Sequence, residues 1–512
     1  MDKWGSTMSM TQASRDYFAA KADQWDDLRS TYFNLEVRQK AIQKAYLRPE
    51  MWVANVGAGT GFLAAELAKL VDRVYLLDTS PEMLAVARKN LAAFDNVIYH
   101  ESEGLSLPLA DGSLDVVFAN MYLHHCPEPL AAIREMARLL KPGGRLVLTD
   151  LQVHEHTWMQ TEMADVWPGF ERAQIQQWLQ QAGLVNILVE FSGETCCAAP
   201  TSETTDEAPK QAQVDVFLAV GSQRVAGVRD AVRENYGSLA QGVRSCCTPL
   251  LDQDAQAVTA EPHGASDPNS NRAVSAVSCC FGEASLVSLE AVQVVNFEAG
   301  YLPDQSIGLP EDVREFALGC GNPTALADLR PGEVVLDIGS GGGLDAILAA
   351  RQVGEQGRVI GVDMTPEMLA RARSAVEKAG FSQVEFRKGQ AEALPIAANY
   401  VDVILSNCVI NLSEDKGLVF QEAYRVLKTG GRMEISDVVA DGVFPWEWRA
   451  DPRNWGGCVF GALPEGEYLD LIRMAGFEEI EVRHRAPTGE AAGVKLSSIT
   501  LRAVKPRQGC CS

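Results

Sequence analysis

At 512 residues the chain exceeds one ordinary core, and the usual domain size predicts two to four units. Its 46% hydrophobic and 22% charged residues are those of a soluble globular protein. The formal charge of -23 argues against nucleic acid, whose binding comes mostly from Lys and Arg neutralising phosphate.

No apolar h-region follows Met1, and no apolar run approaches the length that spans a bilayer, so no membrane partner is expected and the cytoplasm is the predicted address. In that compartment the 12 cysteines are read as thiols kept for metal, metalloid or redox chemistry rather than as structural disulfides.

The chain repeats itself. The first copy opens with an apolar strand running into a glycine turn, Val53 to Gly61; the second does so from Val335 to Gly343. A second strand then ends in an acid, Asp78 or Asp363, followed by Ser80-Pro81-Glu82-Met83-Leu84 or Thr365-Pro366-Glu367-Met368-Leu369. An N-cap, a proline at the first helical position and an acid in the first turn predict a helix at both places. Next come a strand (Leu114 to Ala119; Val401 to Ser406), a helix, and a glycine turn (Lys141-Pro142-Gly143-Gly144; Lys428-Thr429-Gly430-Gly431). Two closing strands follow, Val185 to Phe191 with Val214 to Val220, and Glu479 to Arg485 with Ser498 to Val504. Strands alternating with helices predict an α/β fold of two tandem doubly wound, Rossmann-like domains.

The boundary is placed near residue 224, since Val228 to Ala240 reads as a helix of the second half. Domain one is 1–224. Domain two is 225–512, divided into 225–330 (an N-terminal helix, a flexible linker rich in Ala, Ser, Asn, Asp and Pro over 252–278, and a Cys-bearing segment), a core at 331–440, and 441–512 (a second Cys-bearing segment, the closing hairpin and a tail).

In such a sheet a ligand sits at the carboxyl ends of the strands, where a glycine turn admits its backbone and an acid on the next strand takes ribose hydroxyls. Gly57, Gly59, Gly61 and Asp78 fit this pattern, as do Gly339, Gly341, Gly343 and Asp363. The glycines alone leave a dinucleotide and S-adenosylmethionine both open. Adding Glu103-Gly104-Leu105-Ser106-Leu107-Pro108, Glu392-Ala393-Leu394-Pro395 and the Lys-x-Gly-Gly turns, each repeat resembles the class I S-adenosylmethionine methyltransferases over nearly its whole length. The resemblance implies that Asp337, Ser340, Met364, Gln390, Ala391, Glu392, Asn407 and Tyr236 join the second half's cofactor site. In the first half Asn55 stands where the second has Asp337, so its site is expected to be weaker.

Three cysteines stand in distinctive settings: Leu318-Gly319-Cys320-Gly321-Asn322-Pro323, Ser406-Asn407-Cys408-Val409-Ile410-Asn411-Leu412, and Trp455-Gly456-Gly457-Cys458-Val459-Phe460. With Tyr236-Gly237 and Cys246-Cys247, they resemble the arsenite S-adenosylmethionine methyltransferases over roughly residues 228 to 506. That resemblance implies As(III) on Cys320, Cys408 and Cys458, with Cys246 or Cys247 in the redox cycle and thioredoxin or glutathione as reductant. The implied substrates are arsenite and methylated arsenicals, and the implied role is detoxification. Soft thiolates suit a soft, thiophilic centre, and Cys408 follows a strand's carboxyl end. No Cys-x-x-Cys pair of the zinc kind occurs.

Met121 occupies the place of Cys408 in the first copy, so the two halves are not expected to share a substrate. The first half resembles small-molecule methyltransferases of the ubiquinone-biosynthesis type, including ones associated with arsenic-repressor-type regulators. Two other readings stay open: a methyltransferase acting on carbon, oxygen or nitrogen, and a cysteine-rich metalloid-binding or sensing protein on a methyltransferase fold. Cys196-Cys197 is expected in the first hairpin's loop; Cys279-Cys280 and Cys510-Cys511 are further doublets. Cys126 is read as packing, and Trp158, Trp167 and Phe170 as core or pocket wall. His154 and His156, two apart, share no helix face and are read as loop or strand residues.

Overall fold

The computed structural model describes residues 7–33, 35–199, 212–242, 292–293 and 319–507. The segment 252–278 and the doublets Cys246-Cys247, Cys279-Cys280 and Cys510-Cys511 lie outside them. The chain divides into two compact units, 1–226 and 227–512.

In the first unit β1 (Trp52–Val56), β2 (Arg73–Asp78), β3 (Val97–Glu101), β4 (Leu114–Asn120), β5 (Leu140–Leu151), β6 (Leu184–Ala198) and β7 (Ala212–Gln223) form one sheet in the order β3-β2-β1-β4-β5-β7-β6. The first five are parallel; β7 runs antiparallel to both β5 and β6. In the second unit β8 (Val292–Gln293), β9 (Val334–Ile338), β10 (Arg358–Asp363), β11 (Val384–Lys388), β12 (Val401–Asn407), β13 (Leu427–Ala440), β14 (Glu478–Ala491) and β15 (Val494–Val504) repeat that order as β11-β10-β9-β12-β13-β15-β14, with β8 added at the edge. The duplication read in the sequence is thus a duplication of topology. The reversal of strand order between β1 and β4, and between β9 and β12, opens the crevice where such sheets bind ligands.

Helix starts follow local chemistry. Ser80 caps the helix Pro81–Asn90 by accepting from Met83 N at 3.2 Å. Thr365, at the same place before Pro366–Ala379, turns its hydroxyl to Asp363 and makes no capping bond. The helix Leu344–Val353 is apolar nearly all round and buries Ala346, Ile347, Leu348, Ala349, Ala350 and Val353 between the sheet and the helix Pro366–Ala379. Among the described residues no helix is long and apolar enough to cross a membrane.

Matching polar clamps hold both copies. Lys141 pairs with Asp115 and Lys428 with Asp402, whose other contacts are the backbone N–H groups of Trp52 and Val334 at 2.8 and 2.9 Å. Glu135 with Arg138, and Glu422 with Arg425, grip the Leu-Pro segments: the acids accept from Leu107 N and Leu394 N, and the guanidinium groups donate to carbonyls of the same segments.

Both closing hairpins outrun the apolar stretches that predicted them. β6 continues through Cys196-Cys197, which therefore lie in a strand and not in a loop. Cys196 is buried and Cys197 half-buried, the alternation of a pleated strand with one face inward. Phe170 is core, and Trp158 packs partly buried against the cluster around Met159.

Candidate functional site

In the second unit the turn after β9 is shaped by backbone. Gly339 has φ +71°, and a Cβ there would overlap Val409. The carboxylate of Asp363, at the end of β10, accepts from Gly341 N at 3.0 Å and from Thr365 N at 2.8 Å, tying turn to strand. Asp78 binds Gly59 N at 2.7 Å and Ser80 N at 2.9 Å in the first unit. Burial raises the pKa of both acids from its ordinary value, although these N–H groups pull in the opposite direction.

A cavity of about 140 Å³ lies over this turn. Tyr236, Asp337, Gly339, Ser340, Gly341, Asp363, Met364, Gln390, Ala391, Glu392, Asn407 and Cys408 all line it. Gly343 does not. It caps the helix behind the turn, where a Cβ would stand 3.1 Å from Phe386 and 3.2 Å from Ala372, so its role is close packing and not ligand contact. Gly61 is likewise absent from the first unit's cavity, being pressed against Leu91.

Asp337 is fully buried, with Oδ2 lacking a hydrogen-bond partner. Burial, with Asp345 and Asp363 nearby, pushes its carboxyl well above the usual range. A ligand ammonium would relieve that penalty, so this orphaned oxygen fits the amino group of S-adenosylmethionine. Asn55 takes the same position in the first unit, and its Oδ1 is also unpartnered. A neutral amide oxygen is the weaker acceptor for a cation.

Cys320, Cys408 and Cys458 are buried in one cluster with Val438, Phe444 and Phe460. Asn407, the last residue of β12, fixes the first of them by accepting from Cys320 N at 3.1 Å and donating to Gly321 O at 2.8 Å. Cys408 and Cys458 both have left-handed backbone, φ +57° and +61°. Cys458 Sγ donates to Cys408 O at 2.7 Å and stands 4.0 Å from the Tyr236 hydroxyl, so Tyr236 touches cavity and cysteines alike.

The expectation of three free thiolates needs correcting: Cys320 and Cys408 form a disulfide, with Cα atoms 5.7 Å apart. Two thiols so close in an apolar cluster meet the geometric condition for pairing. Cys458 is free. Asp437 is near both bonded sulfurs, one carboxylate oxygen lying with them inside a 4.8 Å group. Burial raises its pKa to about 7, partly countered by Lys416, whose own value burial lowers to about 8.

The first unit's cavity is larger, about 450 Å³, and joins Gly57, Gly59 and Asp78 to Met121, His124, His125 and Asp165. Sequence reading missed His124, His125 and Asp165. His154 and His156 belong to no group of three metal-ligating side chains among the described residues. Cys126 is buried and lines this cavity, its carbonyl taking a bond from Trp167 Nε1 at 2.8 Å.

Comparison with known proteins places a methyltransferase domain at residues 54–148 and another at 329–476. The arsenite methyltransferase of Halobacterium salinarum is 38% identical over 291 residues, covering 54% of this chain and 66% of that protein. The human arsenite methyltransferase is 43% identical over 152 residues, covering 28% and 40%. The crystal structure of an arsenic(III) S-adenosylmethionine methyltransferase from Chlamydomonas reinhardtii aligns with 38% identity and a TM-score of 0.36, covering 39% of this chain and 71% of that one. The chain spans between 40% and 66% of the length of the curated arsenite methyltransferases it matches.

Proposed function

We propose, for a chain whose two halves each carry a methyltransferase domain and whose C-terminal half is homologous to arsenite methyltransferases, that this half methylates trivalent arsenic with S-adenosylmethionine. One observation carries the reading. Cys408 lines the cavity shaped by Gly339, Gly341 and Asp363 and also belongs to the cluster of Cys320 and Cys458.

In the reduced protein Cys320, Cys408 and Cys458 hold As(III) as thiolates. The ammonium of the methyl donor rests on Asp337, and Asp363 takes its ribose. The arsenic lone pair forms the As–C bond as the C–S bond breaks, and the electron pair of that bond leaves on sulfur. No proton moves, so no general base is needed, and alignment of the two centres is the main contribution to rate.

Transfer leaves arsenic pentavalent. Two thiols return it to As(III) by giving up two electrons and forming a disulfide. The Cys320–Cys408 bond is a product of that kind and must be reopened before arsenic binds again, by a thioredoxin- or glutathione-type reductant, with Cys246 or Cys247 as exchange partner. The activity belongs in a reducing compartment such as the cytosol and serves arsenic detoxification. A metalloid buffer or sensor is the rival reading; it would bind arsenite without consuming the donor.

Incubating the purified protein with arsenite, reductant and S-adenosylmethionine and then speciating the arsenic separates the two. Methylated arsenicals are expected. Unchanged arsenite in the presence of bound donor overturns the enzyme reading.

A further inference from the structure

The first unit carries a second cluster that the arsenic chemistry does not use. His124 and Asp150 are both buried, and their side chains meet at 2.6 Å between Nδ1 and Oδ1. Asp150 also accepts from Leu123 N at 2.7 Å and from Leu151 N at 2.7 Å. This carboxylate is therefore fixed as an acceptor, which fixes the His124 proton on Nδ1 and turns the Nε2 lone pair away from Asp150. It points toward Asp165, whose Oδ1 is 3.9 Å from Nε2.

Asp165 is placed there by backbone. Val166 N and Trp167 N both donate to His124 O, at 2.8 and 3.0 Å, and pin the segment onto the histidine it faces. The Asp165 side chain is 1% exposed, and neither of its oxygens has a hydrogen-bond partner. His125 completes the group: its Nδ1 lies 3.7 Å from Asp165 Oδ1 and 3.3 Å from Ala164 O. Ligand atoms of His124, His125 and Asp165 all fall within 4.8 Å of one another. In the second unit Asn411 holds the place of His124 beside Asp437, so this ligand set is peculiar to the first.

We propose that His124, His125 and Asp165 bind a divalent transition-metal ion, with zinc the natural fit, in the lining of the first unit's cavity. Two imidazoles and one carboxylate are a recurring catalytic ligand set that leaves coordination positions open, and a histidine backed by a carboxylate through its other nitrogen is the usual support of such a ligand. The distances of 3.7 and 3.9 Å need only a small contraction around an ion with bonds of about 2.1 Å, and on binding His125 Nδ1 exchanges its proton and its hydrogen bond to Ala164 O for the metal.

The three ligands line a cavity that also holds Gly57 and Asp78, with Phe18, Trp25 and Phe62 in its wall. That setting suits an aromatic thiol or hydroxyl compound. The ion takes the substrate's sulfur or oxygen and the proton leaves to solvent. The resulting anion then forms its bond to the donor's methyl carbon as the methyl–sulfonium bond breaks and its electron pair leaves on the donor sulfur.

Cobalt(II) titration of the reduced full-length chain tests this by difference, because thiolate and nitrogen–oxygen sites both give visible d–d absorption while only thiolates add sulfur-to-metal charge transfer. Wild type is expected to take up one more cobalt ion than Asp165→Asn or His125→Gln, the extra ion adding d–d absorption without charge transfer. The thiolate charge-transfer bands should be the same in all three. Adding thiophenol to the wild-type cobalt protein should create a further charge-transfer band that Asp165→Asn lacks. Circular dichroism checks that each variant is folded, and His125→Gln, at the less buried ligand, stands in if Asp165→Asn is not. A wild type that binds no more cobalt than the two variants, an extra ion that carries thiolate charge transfer, or indifference to thiophenol overturns the proposal.

Discussion

Met121 and Cys408 occupy the same station in the two halves. Each follows the carboxyl end of its strand, β4 or β12, with positive φ, 52° and 57°. Each donates its backbone N–H to a carbonyl of the adjacent strand, Thr149 O or Ser436 O, both at 2.8 Å. The backbone that presents a cysteine in one half presents a methionine in the other, and a thioether has no proton to lose and binds As(III) poorly.

Cys408→Ser should therefore abolish arsenite methylation and leave S-adenosylmethionine affinity within about twofold, since serine keeps the size and backbone of the position. Arsenic speciation and titration calorimetry read the two effects. The reciprocal Met121→Cys should create no arsenite methylation in a Cys408→Ser background, because among the described residues Met121 shares its cluster with one cysteine, Cys196, where Cys408 has two, Cys320 and Cys458.

Asp337→Asn copies Asn55 into the second unit. Replacing a carboxylate beneath the donor's ammonium by an amide should weaken binding there by roughly ten- to a hundredfold, the worth of a hydrogen bond to a charged group at ~1.5–3 kcal/mol. Asn55→Asp should tighten the first site. Calorimetry of the full chain with S-adenosylmethionine measures both, and equal affinities in wild type and Asp337→Asn would remove the role given to that carboxylate.

The repeat was legible because its signals are local. Ser80 starts its helix by capping, Pro81 and Pro366 by ring geometry, and strands ending at Asp78 and Asp363 declare themselves by apolar runs a few residues long. What was missed depends on distance in the chain. The family resemblance had grouped Cys320 with Cys408, 88 positions apart, but that their sulfurs are bonded to each other shows only in the fold. His124 and Asp165 meet because two amides 42 and 43 residues along bind one carbonyl, and nothing in either residue's own neighbourhood says so. β6 was cut short for a different reason: beyond Phe191 it alternates, burying Ser192, Glu194, Cys196 and Ala198, so half of its inward face is polar and the apolar run ends before the strand does.

Glu434 should give the second unit a pH-dependent stability. It is buried on β13, both oxygens lack hydrogen-bond partners, and Arg483 is 3.8 Å away. Burial outweighs the pull of Arg483 and Arg502 and raises its pKa to about 8. A group whose folded pKa lies above its unfolded value, about 4.3 for Glu, stabilises fully below the unfolded value and loses that contribution as pH climbs to the folded one. Thermal melts between pH 5 and 9 should show Glu434→Gln losing less stability than wild type as pH rises. Parallel curves would refute it.

Gly339→Ala tests the turn itself. At Gly339 a Cβ meets both an unfavourable φ and the side chain of Val409; at Gly332, φ +87°, nothing lies within 4 Å. Alanine at Gly332 should cost only the backbone term of about 1–2 kcal/mol, while alanine at Gly339 should cost more and also deform the cavity against which the methyl donor rests. The expected pattern is a moderate drop in melting temperature with unchanged donor affinity for Gly332→Ala, and a larger drop with lost affinity for Gly339→Ala. Full donor affinity in Gly339→Ala would mean that the turn shifts to admit a side chain and that the close backbone approach is not what shapes the site.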